Sequence, residues 1–359
     1  MITKIQADKL VEKYETFYRK EITIQGCDAK IFVYNYLLAD KEAFKDPLAR
    51  ELRGLTIIHE NAKEFVYPSI PKFFNINELP ETQEKVIKLK TIKKISRKED
   101  GSMIQPVMIC GSIHMKTKQS FTNQQAVMAQ EIFEEDEDLK FFILDCFDSN
   151  FYPMFELVGP DNKIVLDYKT NELVLIAVRS SEGKFIDIDK FSYKNKAETF
   201  NFSMDEMIHQ AKTKKDEEGF VVKFTDESII KIKTLDYVTK HRMVSETDSN
   251  KSILSRILKE EIDDIYPLLS PVKVEEIKKI EQALSDYTVH YIKQIENIIE
   301  TGDSNNRSTF VAKHIKHPFF SVIMSGIKGH KIKETLIEHL LKKYNREQKA
   351  KAFLKEIMV

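Results

Sequence analysis

From about residue 22 to 245 the apolar positions come in short runs that alternate with polar ones. The runs at 31–36, 55–58, 91–96, 103–109, 113–118, 151–158, 163–168, 173–178, 219–224 and 229–233 are rich in β-branched and aromatic residues, which predicts strands. Turn residues punctuate them at Gly101, Gly111, Pro160, Gly183 and Asp226. Helical spacing is confined to 6–18, 122–135 and 203–214. So many short strands with so few crossover helices predict an antiparallel-rich α+β domain rather than a doubly wound parallel sheet. After residue 246 the period changes. Ile253, Leu254, Ile257, Leu258, Ile262 and Ile265 recur at helical spacing, and Ile277 to Ile298 continue it through Ile280, Leu284, Tyr287, Tyr291 and Ile295. Further helices are predicted over 308–325 and 332–356, with loops at 301–306 and 326–329. Two domains follow, 1–245 and an all-α 246–359.

The 359 residues, 42% hydrophobic and 31% charged, suit two soluble domains with real cores. The longest apolar stretch is far short of the roughly 20 residues that span a bilayer. The N-terminal segment is charged throughout, so neither a signal peptide nor a membrane partner is expected, and the reading is cytoplasmic (of a host cell if viral). Cys27, Cys110 and Cys146 are odd in number and lack CxxC spacing. Neither a disulfide framework nor a zinc site is indicated, and each cysteine reads as a small buried apolar residue. Net charge is −1. However, 311–359 holds eleven lysines or arginines against four glutamates, a basic end that suits either a polyanion such as RNA or a solvated helix face. No GxxxxGK[ST] string occurs, which excludes a P-loop.

The chemistry-bearing string is KEDGS at Lys98–Ser102, directly after a predicted strand. A lysine there can project its amine into a cleft, where neighbouring cations lower its pKa and make it a nucleophile. Composition alone gives roughly 0.25 chance matches to such a pattern, so the surrounding strings decide. Upstream stand Arg53-Gly54 and the KFFN string with Lys72 and Phe74. Downstream come Lys118, Glu156 in a Phe-Glu string, Glu218 before Gly219, and Lys231 and Lys233 in a KIK strand. As an ordered set over roughly 30–242, these resemble the covalent nucleotidyltransferase superfamily. The nearer likeness is to the phage tRNA-repair RNA ligase family, RNA ligase 1 type.

That resemblance implies an ATP-grasp-like ligase domain and an ATP-dependent RNA ligase. Lys98 would attack the α-phosphate and carry AMP. AMP would pass to an RNA 5′-phosphate, and a 3′-hydroxyl would then displace it. Lys231 and Lys233, two apart and so on one strand face, would hold the triphosphate and favour a neutral Lys98. Arg53 would contact ribose and phosphate. Glu156, Glu218 and Asp100 would ligate Mg²⁺ or Mn²⁺. Glu99, Gly101, Lys72, Phe74 and Lys118 would complete the nucleotide site. The implied partner is RNA with 5′-phosphate and 3′-hydroxyl ends, including nicked tRNA, read by the helical domain of a monomer.

Two departures stand out. Gln119 replaces the glycine of the family's Lys-Gly-Ser string, and 173–179 lacks an aromatic to stack on adenine, leaving Val221 or Leu175 as candidates. Two other readings stay open: a DNA ligase or capping-type enzyme, and a nucleotide- or RNA-binding member of the fold without catalysis. The helical period after 246 argues against the OB-fold that the first would carry.

Overall fold

The computed structural model describes residues 2–37, 42–263, 265–302 and 307–358. Its strands fall into three sheets. The first is an antiparallel meander of β1 (Phe17–Ile22), β2 (Lys30–Tyr36), β3 (Thr56–Glu60) and β4 (Lys63–Tyr67). Then follow β5 (Phe74–Asn75), β6 (Ile92–Lys98), β7 (Ser102–Ile109), β8 (Ser112–Lys116) and β9 (Phe151–Val158). The remaining strands are β10 (Glu172–Ser180), β11 (Phe185–Ile186), β12 (Thr199–Phe200), β13 (Gly219–Phe224) and β14 (Ile229–Lys233). The second sheet has order β11-β10-β9-β7-β8 and the third β12-β6-β13-β14-β5. All pairs are antiparallel except β14 with β5.

The helices are α1 (Lys4–Lys13), α2 (Pro47–Glu51), α3 (Glu84–Ile87), α4 (Gln124–Glu135), α5 (Glu137–Asp148), α6 (Met204–Thr213) and α7 (Leu235–Glu246). They continue with α8 (Asn250–Leu258), α9 (Pro271–Thr301), α10 (Arg307–His314), α11 (Phe320–Ile327), α12 (Ile332–Lys343) and α13 (Glu347–Ile357). The chain divides into two compact units, Met1–Val238 and Thr239–Val359. The first is the expected antiparallel-rich α+β unit. The second is helical, and no strand follows Lys233 among the described residues.

In the first unit, α4 and α5 cover one face of the second sheet through Ala129, Phe133, Leu139, Phe142, Ile143 and Cys146. α6 covers the back of the third through Met204, Met207 and Ala211, which meet Phe220, Val222, Phe224, Ile230 and Ile232. Those strand residues are the alternate positions of β13 and β14, so the opposite alternates face away from this core. In the second unit, α9 is capped by the Ser270 hydroxyl on the Lys273 amide with Pro271 in its first turn. Its Ile277, Ile280, Leu284 and Ile295 anchor one contiguous core with Leu336, Leu340, Phe353 and Leu354.

Six sequence readings are corrected. Segment 163–168 forms no strand. Its Val165 and Leu166 amides donate to the Asp100 carboxylate instead of a ladder, at 2.9 and 2.8 Å. The first helix ends at Lys13, and 17–22 is a strand paired with β2. A further helix, α5, lies outside the helical stretches read from the sequence. Asp136 caps the helix on the Leu139 amide, Glu137 and Asp138 favour its first turn, and Leu139, Phe142, Ile143 and Cys146 bury at i, i+3, i+4, i+7. The helix predicted over 308–325 is two, interrupted at Pro318, and that over 332–356 is broken after Tyr344, whose ring stacks on Phe353 at 4.0 Å. The loop predicted at 301–306 falls mostly outside the described residues. Finally, Cys27 and Cys110 form a disulfide with Cα atoms 6.1 Å apart. Sequence spacing could not reveal this, because the β7–β8 turn brings residues 83 apart together. Only Cys146 is the buried free thiol expected of all three.

Candidate active site

The alternation that buries Phe220, Val222, Ile230 and Ile232 turns Gly219, Val221 and Lys223 of β13, and Ile229, Lys231 and Lys233 of β14, to the other face. Register sets them in rows. Lys98 of β6 lies opposite Gly219, which lies opposite Lys233. Ser96, Val221 and Lys231 form the next row, and Lys94, Lys223 and Ile229 the third. Between this face and the second sheet lies a cavity of about 640 Å³. Its opposite wall is Met103 of β7, Glu156 of β9, Ile176 and Ala177 of β10, and Phe185 of β11. Arg53, Phe73, Lys118, Gln119 and Ser120 line it as well.

Of the candidate residues, Lys98, Glu99, Gly101, Arg53, Lys118, Glu156, Glu218, Lys231 and Lys233 line this one cavity. Three do not. Asp100 is buried, and its carboxylate accepts from the Val165 and Leu166 amides and, at 2.7 Å, from the Tyr237 hydroxyl. Those bonds make it the tie that closes the Lys98 turn. Phe74 is 2% exposed in the core against Phe44. Its neighbour Phe73 lines the cavity instead, with Arg53 and Lys231 over its ring at 5.7 and 5.4 Å. The KFFN string did not say which phenylalanine faces in. Lys72 sits just outside, over the rings of Phe74, Tyr36 and Phe44 at 5.1, 5.9 and 5.9 Å. Burial lowers its pKa, with Arg53 adding to the effect against Glu78.

Glu218 is the electrostatic centre. Its two oxygens accept from Lys98 Nζ at 2.8 Å and Lys233 Nζ at 3.0 Å, while only 3% of its side chain is exposed. Burial opposes the Lys98 charge, yet Glu218, Glu156 and Asp100 together hold the ammonium above its ordinary range. This reverses the expectation that cationic neighbours leave Lys98 neutral in the ligand-free site. The depressed lysines are its neighbours. Burial pushes Lys231 down to about 8, helped by Lys72 and Lys98, and Lys118 to about 8, helped by Arg53. Burial pushes Glu156 up to about 7 against the pull of Lys98. Such opposed shifts in one cleft mark a functional site.

Two glycines are required by close approach. A Cβ on Gly101 would lie 2.1 Å from the Leu157 carbonyl oxygen, so the residue serves packing of the turn on β9 rather than unusual dihedrals. Gly54 has φ +81°, and a Cβ there would meet the Lys118 Cα at 3.2 Å. Its carbonyl accepts from Lys116 Nζ at 3.2 Å. Lys116 is wholly buried and lowered by that burial to about 7, a support that no motif announced. Tyr168 was also missed. Its hydroxyl accepts from the Asp100 amide and donates to the Glu99 carboxylate, both at 3.0 Å.

Among the described residues no group of three or more His, Cys, Asp or Glu could hold a metal. The Glu156 carboxylate makes no ion pair or hydrogen bond among the described residues, whereas Glu218 on the facing wall is held by Lys98 and Lys233 and would have to exchange one of them for a cation. The pair suits a hydrated Mg²⁺ shared with substrate phosphates, not a resident cage.

A cleft between two sheets, with a lysine at the end of one strand and a paired-lysine strand beside it, is the arrangement that the resemblance to the covalent nucleotidyltransferases implies. A family model described as RNA ligase matches residues 51–246, so the chain belongs to the RNA ligase family. A protein of Thermovibrio ammonificans, provisionally named an RNA ligase, is 28% identical over 249 residues, 65% of this chain and 64% of its own length. The chain therefore spans less than two thirds of that relative. Among solved structures, an archaeal ATP-dependent RNA ligase matches with TM-score 0.47 and 13% identity over 88% of each chain. A Naegleria gruberi RNA ligase with PPi matches at 0.39 and 12%, covering 48% of this chain and 57% of its own.

Proposed function

We propose that the chain is an ATP-dependent RNA ligase. The observation that carries this is the placing of Lys98, Glu218 and Lys233 in one bonded row of the cavity that Arg53, Lys118, Glu156 and Lys231 also line. The Lys98 nitrogen gives up its proton, attacks the α-phosphorus of ATP and displaces pyrophosphate, forming a phosphoramidate. Glu218, 2.8 Å away, is positioned to receive that proton. Lys231, Lys233, Lys118 and Arg53 present positive charge to the triphosphate, and such positioned charge supplies most of the rate in phosphoryl transfer. A divalent cation held on Glu156 would neutralise phosphate charge while Glu218 serves the proton. AMP then passes to an RNA 5′-phosphate, and a 3′-hydroxyl displaces it.

Residues 1–245 would perform the adenylyl transfer and 246–359 would read the RNA, in keeping with the basic final helices. The resemblance to tRNA-repair ligases supports nicked tRNA as substrate. The helical unit and the absence of strands after Lys233 among the described residues favour this reading over an OB-fold enzyme of the DNA-ligase or capping type.

The test is incubation with α-labelled ATP or GTP and Mg²⁺, followed by denaturing electrophoresis of wild type and Lys98→Ala. Acid-labile label from ATP alone, absent in the variant, is expected. Label from GTP would point to capping, and no covalent label from either nucleotide would overturn the ligase mechanism. For the RNA, removal of residues after 245 should erase any preference for nicked tRNA over linear RNA. An unchanged preference would remove the tRNA assignment.

A further inference from the structure

One contact behind the cavity wall is made by a lysine that does not itself line the cavity. Lys116 ends β8, two residues before Lys118, and is wholly buried. Its Nζ donates to the Gly54 carbonyl at 3.2 Å and to Gln105 Oε1 at 3.5 Å. Gln105 of β7 is equally buried, and its side-chain nitrogen donates to the Pro68 carbonyl at 2.9 Å. A chain of bonds therefore runs through the core from the end of β4 to the turn that carries Arg53.

That turn and the end of β8 meet at the cavity. The Gly54 amide donates to the Tyr34 carbonyl at 3.0 Å, and a Cβ on Gly54 would stand 3.2 Å from the Lys118 Cα. Asn35 holds the other segment, donating to the Lys118 carbonyl at 3.4 Å. Arg53 and Lys118 thus enter the cavity from two adjoining segments, and the Lys116 amine ties one to the other. The Thr56 hydroxyl approaches the same Gly54 carbonyl at 3.5 Å, the outer limit of a hydrogen bond. An amine removed from water is destabilising, and burial pushes that of Lys116 down to about 7. A methionine would fill the same space without that cost, so what the lysine contributes is the directional bond.

We propose that Lys116 is a positioning residue for the adenylyl transfer: through the Gly54 carbonyl it sets where Arg53 stands relative to Lys118, and so the fit of the cavity to the triphosphate. Phosphoryl transfer depends on placed charge, and a displacement of about 1 Å can cost about a hundredfold in rate. Lys116 acts on the phosphates only through its neighbours, since it has no access to the cavity. The inference rests on the proposed use of ATP and adds a residue that aligns the groups meeting its phosphates.

The experiment measures equilibrium binding of pyrophosphate and of adenosine, and single-turnover lysyl-AMP formation, in wild type, Lys116→Met and Lys116→Gln, each with and without Arg53→Ala. Lys116→Met removes the donor, and Lys116→Gln keeps one in a shorter side chain. Lys116→Met should weaken pyrophosphate about tenfold and slow adenylylation by about tenfold or more, while adenosine binds within about twofold of wild type. Lys116→Gln should lose less. With Arg53→Ala already present, Lys116→Met should weaken pyrophosphate by less than about threefold further, because its effect passes through that arginine. Equal losses for adenosine and pyrophosphate, or full additivity with Arg53→Ala, would make Lys116 a general support of the fold and overturn the proposal. Wild-type behaviour of Lys116→Met would overturn it too, as would loss of cooperative melting in both variants. If Lys116→Met alone fails to fold, Lys116→Gln carries the same comparison. Binding separates this from the ligase reading: a pyrophosphate affinity that depends on Lys116 without any covalent label leaves the positioning role and removes only the chemistry. A wild type that binds neither pyrophosphate nor ATP removes both.

Discussion

Lys98 and Glu218 form an ion pair 2.8 Å long in a site where the glutamate is almost wholly inaccessible to solvent. The proposed nucleophile is therefore held as an ammonium by the group beside it, and its activation is tied to the fate of that pair.

Glu218→Gln should accordingly lower the Lys98 pKa. Neutral amine would accumulate at lower pH, so the rising limb of single-turnover lysyl-AMP formation should move acidward by about one unit or more. The measurement is the rate of label uptake between pH 6 and 10. A limb that stays in place would mean that the pair does not control the proton.

Asp100→Asn should destabilise the apo protein. It weakens or removes acceptors for two amides and the Tyr237 hydroxyl in a buried setting, at a cost of about 2–4 kcal/mol. Thermal melting without metal reads this directly. A residue acting only as a metal ligand would leave that melt unchanged.

Glu156 gives a signed dependence on pH. Its folded pKa, about 7, lies above its ordinary 4.5. Its neutral form is the one folding favours, so stability is full below pH 4.5 and is lost as pH rises towards 7. Glu156→Gln should raise the melting temperature relative to wild type at pH 8, by the equivalent of up to about 3 kcal/mol, and the gap should close below pH 4.5, with most of it gone at pH 5. Equal gaps at pH 8 and pH 5 would contradict the shift.

The Cys27–Cys110 bridge spans 83 residues. Closing a loop of that length in the unfolded chain is worth about 4.5 kcal/mol at most. Cys27→Ser should lower stability towards that figure under non-reducing conditions and change nothing in excess reductant. Intact-mass analysis with and without reduction checks the bridge itself.

Much of this site was legible because strand periodicity and short strings carry it. Lys231 and Lys233 had to share a face once 229–233 was a strand, and KEDGS had to be a strand end followed by a turn. What was not legible depends on contacts distant in sequence. Asp100 looked like a ligand because its bonds run to residues 165, 166 and 237. Phe73 and Phe74 could not be separated because β5 is only two residues long. Lys116 looked like an ordinary strand lysine, since nothing local reveals that its amine meets the Gly54 carbonyl. Segment 163–168 had strand composition, but a buried carboxylate took its amides.

The two-residue alternation of β13 and β14 has a consequence for how this chain can vary. Every charged group that β14 brings to the cavity depends on parity: deleting Ile229 or Ile230 would put Ile232 and Thr234 in the places of Lys231 and Lys233 and drive the lysines into the α6 core. Substitution here costs one contact, whereas a change of length costs the frame. Insertions and deletions in this segment should therefore be confined to the turn at 225–228, where the count of residues has no inside or outside.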